Sequence, residues 1–251
     1  MPPAVNSAAV CPTHRFDPRM SLGISHPMSH HVPDSRISVP ERIIIIGDVH
    51  GCFGELQHLL EVAEVGEKDG IICVGDLVRK GPDSAEVLRW AMQTPNLRCV
   101  LGNHDARLLI KWFAGQKPDR GTMDWEMRRQ LGDSYNAAME YIRSWPLYID
   151  LGDFLVVHAG LDPRIHDVRL QSPHDLMTIR IPEGMNTPWY ESYHQEKLVI
   201  FGHWARNEPM IRPNVIGLDT GCVYGGRLTA LILPERRIVS VAASRVYLRK
   251  D

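Results

Sequence analysis

From Arg42 onward the chain alternates short, wholly apolar runs with longer stretches of three-to-four spacing. Ile43 to Ile46 is β-branched and apolar throughout and stops at Gly47, the pattern of a strand buried on both faces. Leu56, Leu59, Leu60 and Ala63 then follow helical spacing. Ile71 to Val74 predicts a second buried strand, ending at Gly75, and Val87, Leu88, Ala91 and Met92 a second helix with Asp83 or Ser84 as its N-cap. Leu97 to Leu101 predicts a third strand, and Leu108, Leu109 and Trp112 the helix behind it. Three strand–loop–helix units in succession predict parallel strands joined by crossover helices.

Residues 114–146 are more polar and predict a helical insertion that shapes a substrate cleft. Leu147 to Leu151 and Phe154 to Val157 flank Gly152-Asp153, a two-residue hairpin signal. Residues 160–196 read as loop-rich. Leu198 to Phe201, Val215 to Leu218, Arg227 to Leu233 and Arg237 to Val241 predict further strands, the last pair turning through Pro234-Glu235.

Residues 1–40 break the pattern, with seven prolines between Pro2 and Pro40, many Ser and His residues and no periodicity. Such a segment buries too little apolar surface to order itself, so it predicts a flexible tail before a single domain over 41–251. Few acids and several arginines in the tail leave organelle targeting open, and His26, His30 and His31 are potential metal ligands. The five cysteines form no C-x-x-C pair. Cys73 and Cys99 lie in apolar runs and read as buried free thiols, which fits a reducing compartment, the cytoplasm by default. A net charge of -2 and the absence of a long apolar run give no sign of non-specific nucleic-acid binding or of a membrane span.

The polar residues gather where the strands end. The first strand delivers Asp48 and His50, the second Asp76, the third Asn103 and His104; later strands deliver His158 and His203. Open α/β sheets place their ligand sites at such strand ends. Carboxylate, imidazole and amide oxygen together form a mixed N/O donor set suited to Mn²⁺, Fe²⁺ or Zn²⁺, and the lack of thiolates argues against a structural zinc. A single carboxylate can bridge two cations, an arrangement that serves hydrolysis of a phosphoryl group. One Gly-Asp turn or one lone histidine would be unremarkable; five such clusters in order point to a metal site.

These motifs resemble the calcineurin-like metallophosphoesterases of the phosphoprotein-phosphatase type, and most of all the ApaH and ApaH-like phosphatases. Gly47-Asp48-Val49-His50-Gly51, Gly75-Asp76, Gly102-Asn103-His104-Asp105, His158-Ala159-Gly160, Gly202-His203-Trp204-Ala205 and Asp219-Thr220-Gly221-Cys222 carry the likeness over residues 42–242. The resemblance implies an α/β fold in four layers, α-β-β-α, with a central mixed β-sandwich. It implies two divalent metal ions (Mn, Mg, Co, Zn or Fe), the first held by Asp48, His50 and Asp76, the second by Asp76, Asn103, His158 and His203. It also implies that His104 is the general acid, protonated near neutral pH, that gives its proton to the leaving oxygen.

The chain departs from the protein phosphatases at two places. Arg79-Lys80 stands where they carry Asp-Arg, and Leu101 where they carry a phosphate-clamping arginine. Either another carboxylate, Asp105 being one candidate, holds His104, or the histidine is less well fixed; Lys80, Arg180 and Arg107 are the candidates to contact substrate. These departures favour an anionic, phosphate-bearing substrate with phosphoanhydride bonds: a dinucleoside polyphosphate, inorganic polyphosphate or a nucleotide cap. A serine/threonine phosphoprotein phosphatase and a non-catalytic scaffold are the alternatives. The oligomeric state is not legible.

Overall fold

The computed structural model describes residues 40–249. The expected flexible tail, with Cys11, His26, His30 and His31, lies outside the described residues except for Pro40. Strands β1 (Ile43–Ile46), β2 (Gly70–Cys73) and β3 (Leu97–Cys99) pair in parallel, Ile44 opposite Ile71 and Cys73 opposite Cys99. Helices α1 (Phe53–Val62) and α2 (Ser84–Gln93) make the crossovers, and α3 (Asn103–Phe113) follows β3. Asp83 is the N-cap residue of α2; the Ser84 hydroxyl instead accepts the Arg79 N–H at 2.9 Å. The late strand β9 (Arg227–Leu233) joins β1 antiparallel and β10 (Arg237–Ala242) closes the edge, giving the order β10-β9-β1-β2-β3.

A second sheet forms from β4 (Tyr148–Asp150), β5 (Phe154–Val157), β6 (Leu198–Phe201), β7 (Met210–Arg212) and β8 (Val215–Gly217), in the order β4-β5-β6-β8-β7. The β4–β5 hairpin is antiparallel, as Gly152-Asp153 predicts. β7 is a strand the sequence pattern does not reveal, because its Met-Ile-Arg is half to fully exposed and carries no buried run.

The all-apolar runs serve two cores at once, which is why they do not alternate with polar residues. Ile43, Ile45, Ile72 and Val74 face Val156, Ile200 and Ile216 between the sheets. Ile44, Ile46, Ile71 and Cys73 face the other way, onto Leu56 of α1, Leu88 of α2, Leu108 of α3 and Met139 of α5 (Tyr135–Arg143). The outer face of the second sheet packs Val157, Val199 and Phe201 against Leu176, Trp189 and Tyr190. That fourth layer is thinner than expected: one short helix, α6 (Pro173–Thr178), and irregular chain rich in aromatic residues. Cys52, Cys73, Cys99 and Cys222 are buried and free. Among the described residues no helix is long and apolar enough to cross a membrane.

Candidate metal centre

The loops that leave β1, β2, β3, β5 and β6 meet and are bonded to one another. The His50 N–H donates to the Asp76 carbonyl at 2.9 Å, the Gly202 N–H to the His158 carbonyl at 2.8 Å, and the Gly81 N–H to the His50 carbonyl at 2.9 Å. Side chains complete the weave. Both Asp48 oxygens accept the His203 N–H at 3.1 Å, and Asp76 Oδ1 accepts the His104 N–H at 2.8 Å. His50, Asp76 and His203 all lie in the left-handed backbone region, with φ of 48, 51 and 64°. Residues with a side chain rarely stay there unless their surroundings hold them, and such strain gathers at functional sites. Gly102 and Gly202 admit the close approach: a Cβ at Gly102 would strike Asp76, and one at Gly202 would strike the Asp48 carboxylate.

All six residues read as ligands are brought together. Asp76 Oδ2 lies 3.6 Å from His50 Nε2 and 3.4 Å from His158 Nε2, with Asp76 only 1% exposed. Asn103 Oδ1 lies 3.0 Å from both His158 Nε2 and His203 Nδ1. His158 Nδ1 faces the Val74 carbonyl at 2.8 Å and His50 Nδ1 faces that of Val78 at 3.3 Å. In the neutral form that ligates a metal, a proton on each Nδ1 satisfies those carbonyls and leaves both Nε2 atoms facing Asp76, the orientation a metal-ligating histidine takes. Two groups of donors, each within 4.8 Å, share Asp76: Asp48 with Asp76 and His158, and His50 with Asp76 and His104.

The electrostatics fit cations. Burial, then the neighbouring Asp219, pushes the Asp48 carboxyl well above its usual range, so this pocket has more negative charge than it can hold unaided. Burial brings His50 and His203 down to about 3, which leaves them neutral and able to ligate. Burial also opposes a charge on His158, yet Asp76 and Asp48 hold it at about 10. The Lys80 ammonium stands 2.9 Å from His50 Nε2, a positive charge against a lone pair aimed into the pocket. Donor types, orientation and surplus negative charge together suit two divalent ions sharing Asp76.

One expectation is corrected. Asp105 does not hold His104: it is fully buried, Oδ2 accepts the N–H groups of Asp76 at 2.8 Å and Gly102 at 3.2 Å, and Oδ1 faces that of Val78 at 3.3 Å. It staples the ligand loops. His104 Nδ1 is buried with no hydrogen-bond partner among the described residues. Burial lowers the His104 pKa to about 4, Asp76 opposing it and Lys80, Arg79 and Arg107 adding to it.

Of the residues read as substrate contacts, Lys80 flanks His50 and lies 5.3 Å from the Tyr224 ring centre. Arg180 lies beside His203, 3.4 Å from its carbonyl and 5.4 Å from the Trp204 ring centre. Arg107 is exposed on α3, close enough to His104 to act on its charge. The insertion does shape a cleft. Helix α4 (Met123–Leu131) and the chain before it enclose about 270 Å³ with Arg79, Lys80, His104 and Lys111. Arg79 is turned from the metal ligands to Asp124, at 2.9 Å. Asp124, which lies in a polar helix without a motif, escapes sequence reasoning as a site component; Asp219 enters only as part of a resemblance-bearing motif, with no role assigned.

Comparison with known proteins agrees with this geometry. The family model described as calcineurin-like phosphoesterase matches residues 41–213. The symmetrical bis(5'-nucleosyl)-tetraphosphatase of Vibrio cholerae is 30% identical, over 79% of this chain and 97% of its own. The asymmetrical bis(5'-nucleosyl)-tetraphosphatase PrpE of Oceanobacillus iheyensis is also 30% identical, over 82% and 94%. A crystal structure assigned as a diadenosine tetraphosphatase superposes with a TM-score of 0.71 at 32% identity, covering 82% of this chain and 95% of that one. A protein serine/threonine phosphatase of Saccharomyces cerevisiae shares the fold at a TM-score of 0.60 and 17% identity. With the two-sheet sandwich, the candidate ligand loops and these matches in agreement, the chain belongs to the calcineurin-like phosphoesterases.

Proposed function

We propose that the chain is a metal-dependent hydrolase of phosphoanhydride bonds whose substrates are dinucleoside polyphosphates, with residues 41–251 as one catalytic domain. The observation that carries the reading is positive charge beside two different members of the donor set: Lys80 beside His50 and Arg180 beside His203. A phosphate chain joined to a nucleoside at each end extends to both sides of the bond being cut, and cations at two places beside the donor set meet it. The tetraphosphatase relatives support the same substrate class. Four buried free thiols support a reducing compartment such as the cytoplasm.

Asp48, His50, Asp76, Asn103, His158 and His203 would hold the two ions, with Asp76 as the shared carboxylate. When bound, divalent ions of this kind acidify water and offset negative charge on phosphoryl oxygens. The chain's own residues do the rest. Lys80 and Arg180 orient the polyphosphate, Lys80 as a point charge and Arg180 as a planar fork. His104 gains proton affinity when the polyanion arrives beside it, and then gives its proton to the leaving oxygen. Asp105 keeps Asp76 and Gly102 in place without touching substrate.

A panel tests the assignment: nucleotide products from diadenosine tetraphosphate by anion-exchange chromatography, and phosphate from inorganic polyphosphate and from a phosphopeptide. Each is run with Mn²⁺, Mg²⁺, Co²⁺ or Zn²⁺. The expected order puts anhydride substrates well above the phosphopeptide, with diadenosine tetraphosphate first. Faster turnover of the phosphopeptide would overturn the assignment.

A further inference from the structure

Cys52, Glu55 and Cys222 converge at a place that the phosphoesterase chemistry does not use. Each offers one donor atom, and the three atoms lie within 4.8 Å of one another. All three residues are buried, with Glu55 only 5% exposed and both cysteines free. An acid so deeply placed needs every oxygen satisfied. Its Oε1 is: the Ser244 N–H, the Ser244 hydroxyl and the Tyr247 hydroxyl all donate to it, at 2.8, 2.9 and 2.8 Å. Its Oε2 is buried and has no hydrogen-bond partner among the described residues. An acid with one buried oxygen left without a donor, clustered with two thiols, offers a donor set that a cation would complete.

We infer that Cys52, Glu55 and Cys222 form a third cation site, separate from the dinuclear centre, that takes Zn²⁺ or a similarly thiophilic divalent ion. Two thiolates and one carboxylate select such an ion over Mg²⁺, Mn²⁺ or Ca²⁺, which prefer all-oxygen shells. The six residues of the dinuclear centre offer only nitrogen and oxygen, so the two sites differ in metal preference. Binding releases the two thiol protons, and three protein donors leave one position of a tetrahedral shell for water. The placement has a structural consequence. Cys52 caps the N-terminus of α1 two residues after His50, and Cys222 follows Asp219 in the turn between β8 and β9. Glu55 is itself tied to Ser244 and Tyr247. One ion would therefore pin together the β1–α1 loop, the turn that carries Asp219 and the C-terminal segment.

Cobalt substitution tests this without relying on activity. The full chain, reduced and stripped of metal, is reloaded with Co²⁺ alone. The expected result is a sulfur-to-cobalt charge-transfer absorption in the near ultraviolet, which the N/O centre cannot produce, with a third equivalent of bound metal. Cys222→Ser and Cys52→Ser should each abolish the band. Glu55→Gln should weaken cobalt binding at this site by about tenfold or more, and Asp76→Asn should leave the band intact. The wild-type spectrum decides even where a variant folds poorly. No band in the cobalt-loaded wild type, a band that survives both serine variants, or a Cys52–Cys222 disulfide in the protein as purified would overturn the site.

Discussion

At Asp105 the difference between holding a side chain and holding a backbone becomes measurable. Because its carboxyl group accepts N–H groups from Asp76, Gly102 and Val78, Asp105→Asn should cost about 1–3 kcal/mol, the scale of leaving a buried polar group unsatisfied. Thermal melting and metal analysis should show stability and metal content falling together. An intact melting temperature and full metal content with reduced turnover would restore the role of orienting His104. His104→Ala should do the reverse, keeping both metals while kcat falls by roughly 10²- to 10⁴-fold, the usual contribution of a general acid; loss of metal would instead make His104 a ligand. The positions of the six ligand candidates were legible because each follows an apolar run and sits beside or near glycine. The function of Asp105 was not, since a motif cannot show that the acid turns under its helix toward three backbone amides. The left-handed backbone at His50, Asp76 and His203 was equally hidden, because tertiary contacts hold it and local preference does not.

Among the elements, the strand ends matter more than the strands. Gly202→Ala places a methyl group against the Asp48 carboxylate and should cost about 3 kcal/mol or more, the upper range of overpacking. Gly54 lies exposed in the first turn of α1 with nothing within 4 Å of an added Cβ. Gly54→Ala should therefore stabilise by about 0.5–1 kcal/mol through helix preference alone. Denaturant melts of the two variants should move in opposite directions, and similar shifts would contradict the packing described here. The parallel β1-β2-β3 core followed directly from apolar runs too short for helices. What the pattern concealed was the return of β9 to pair with β1, and the exposed β7. The first pairing joins segments far apart in sequence, and the second strand has no buried face to mark it. The thin fourth layer was concealed too, because its aromatic residues are scattered through loops without periodicity.

For the molecule as a whole, the account predicts opposite responses to alkali with and without metal. In the metal-free protein, burial opposes the His158 charge but Asp76 and Asp48 hold its pKa at about 10. The folded value exceeds the ordinary 6.5, so this stabilisation is complete below about pH 6.5 and is lost as pH climbs toward 10. Melting temperatures in chelator should fall between pH 7 and pH 9. Stabilisation by added Mn²⁺ should grow over the same interval, because a ligating His158 must first lose its proton; parallel curves would contradict the assignment of His158 as a ligand. High salt should raise the KM for a polyanionic substrate by screening Lys80 and Arg180, and a salt-independent KM would count against a charged cleft. The reaction class was legible from the chain, since the order of the motifs already specifies a dinuclear centre. The arrangement of charge around the centre was not, because Arg79 turns to Asp124 and Arg180 arrives at His203 from a loop with no regular pattern. The most direct measurement is hydrolysis of diadenosine tetraphosphate by wild type and Asp76→Asn at saturating Mn²⁺, with bound metal counted in both. The account predicts two ions bound at the dinuclear centre and full turnover in the wild type, and loss of both turnover and paired metal binding in the variant. Unchanged turnover by Asp76→Asn would contradict it.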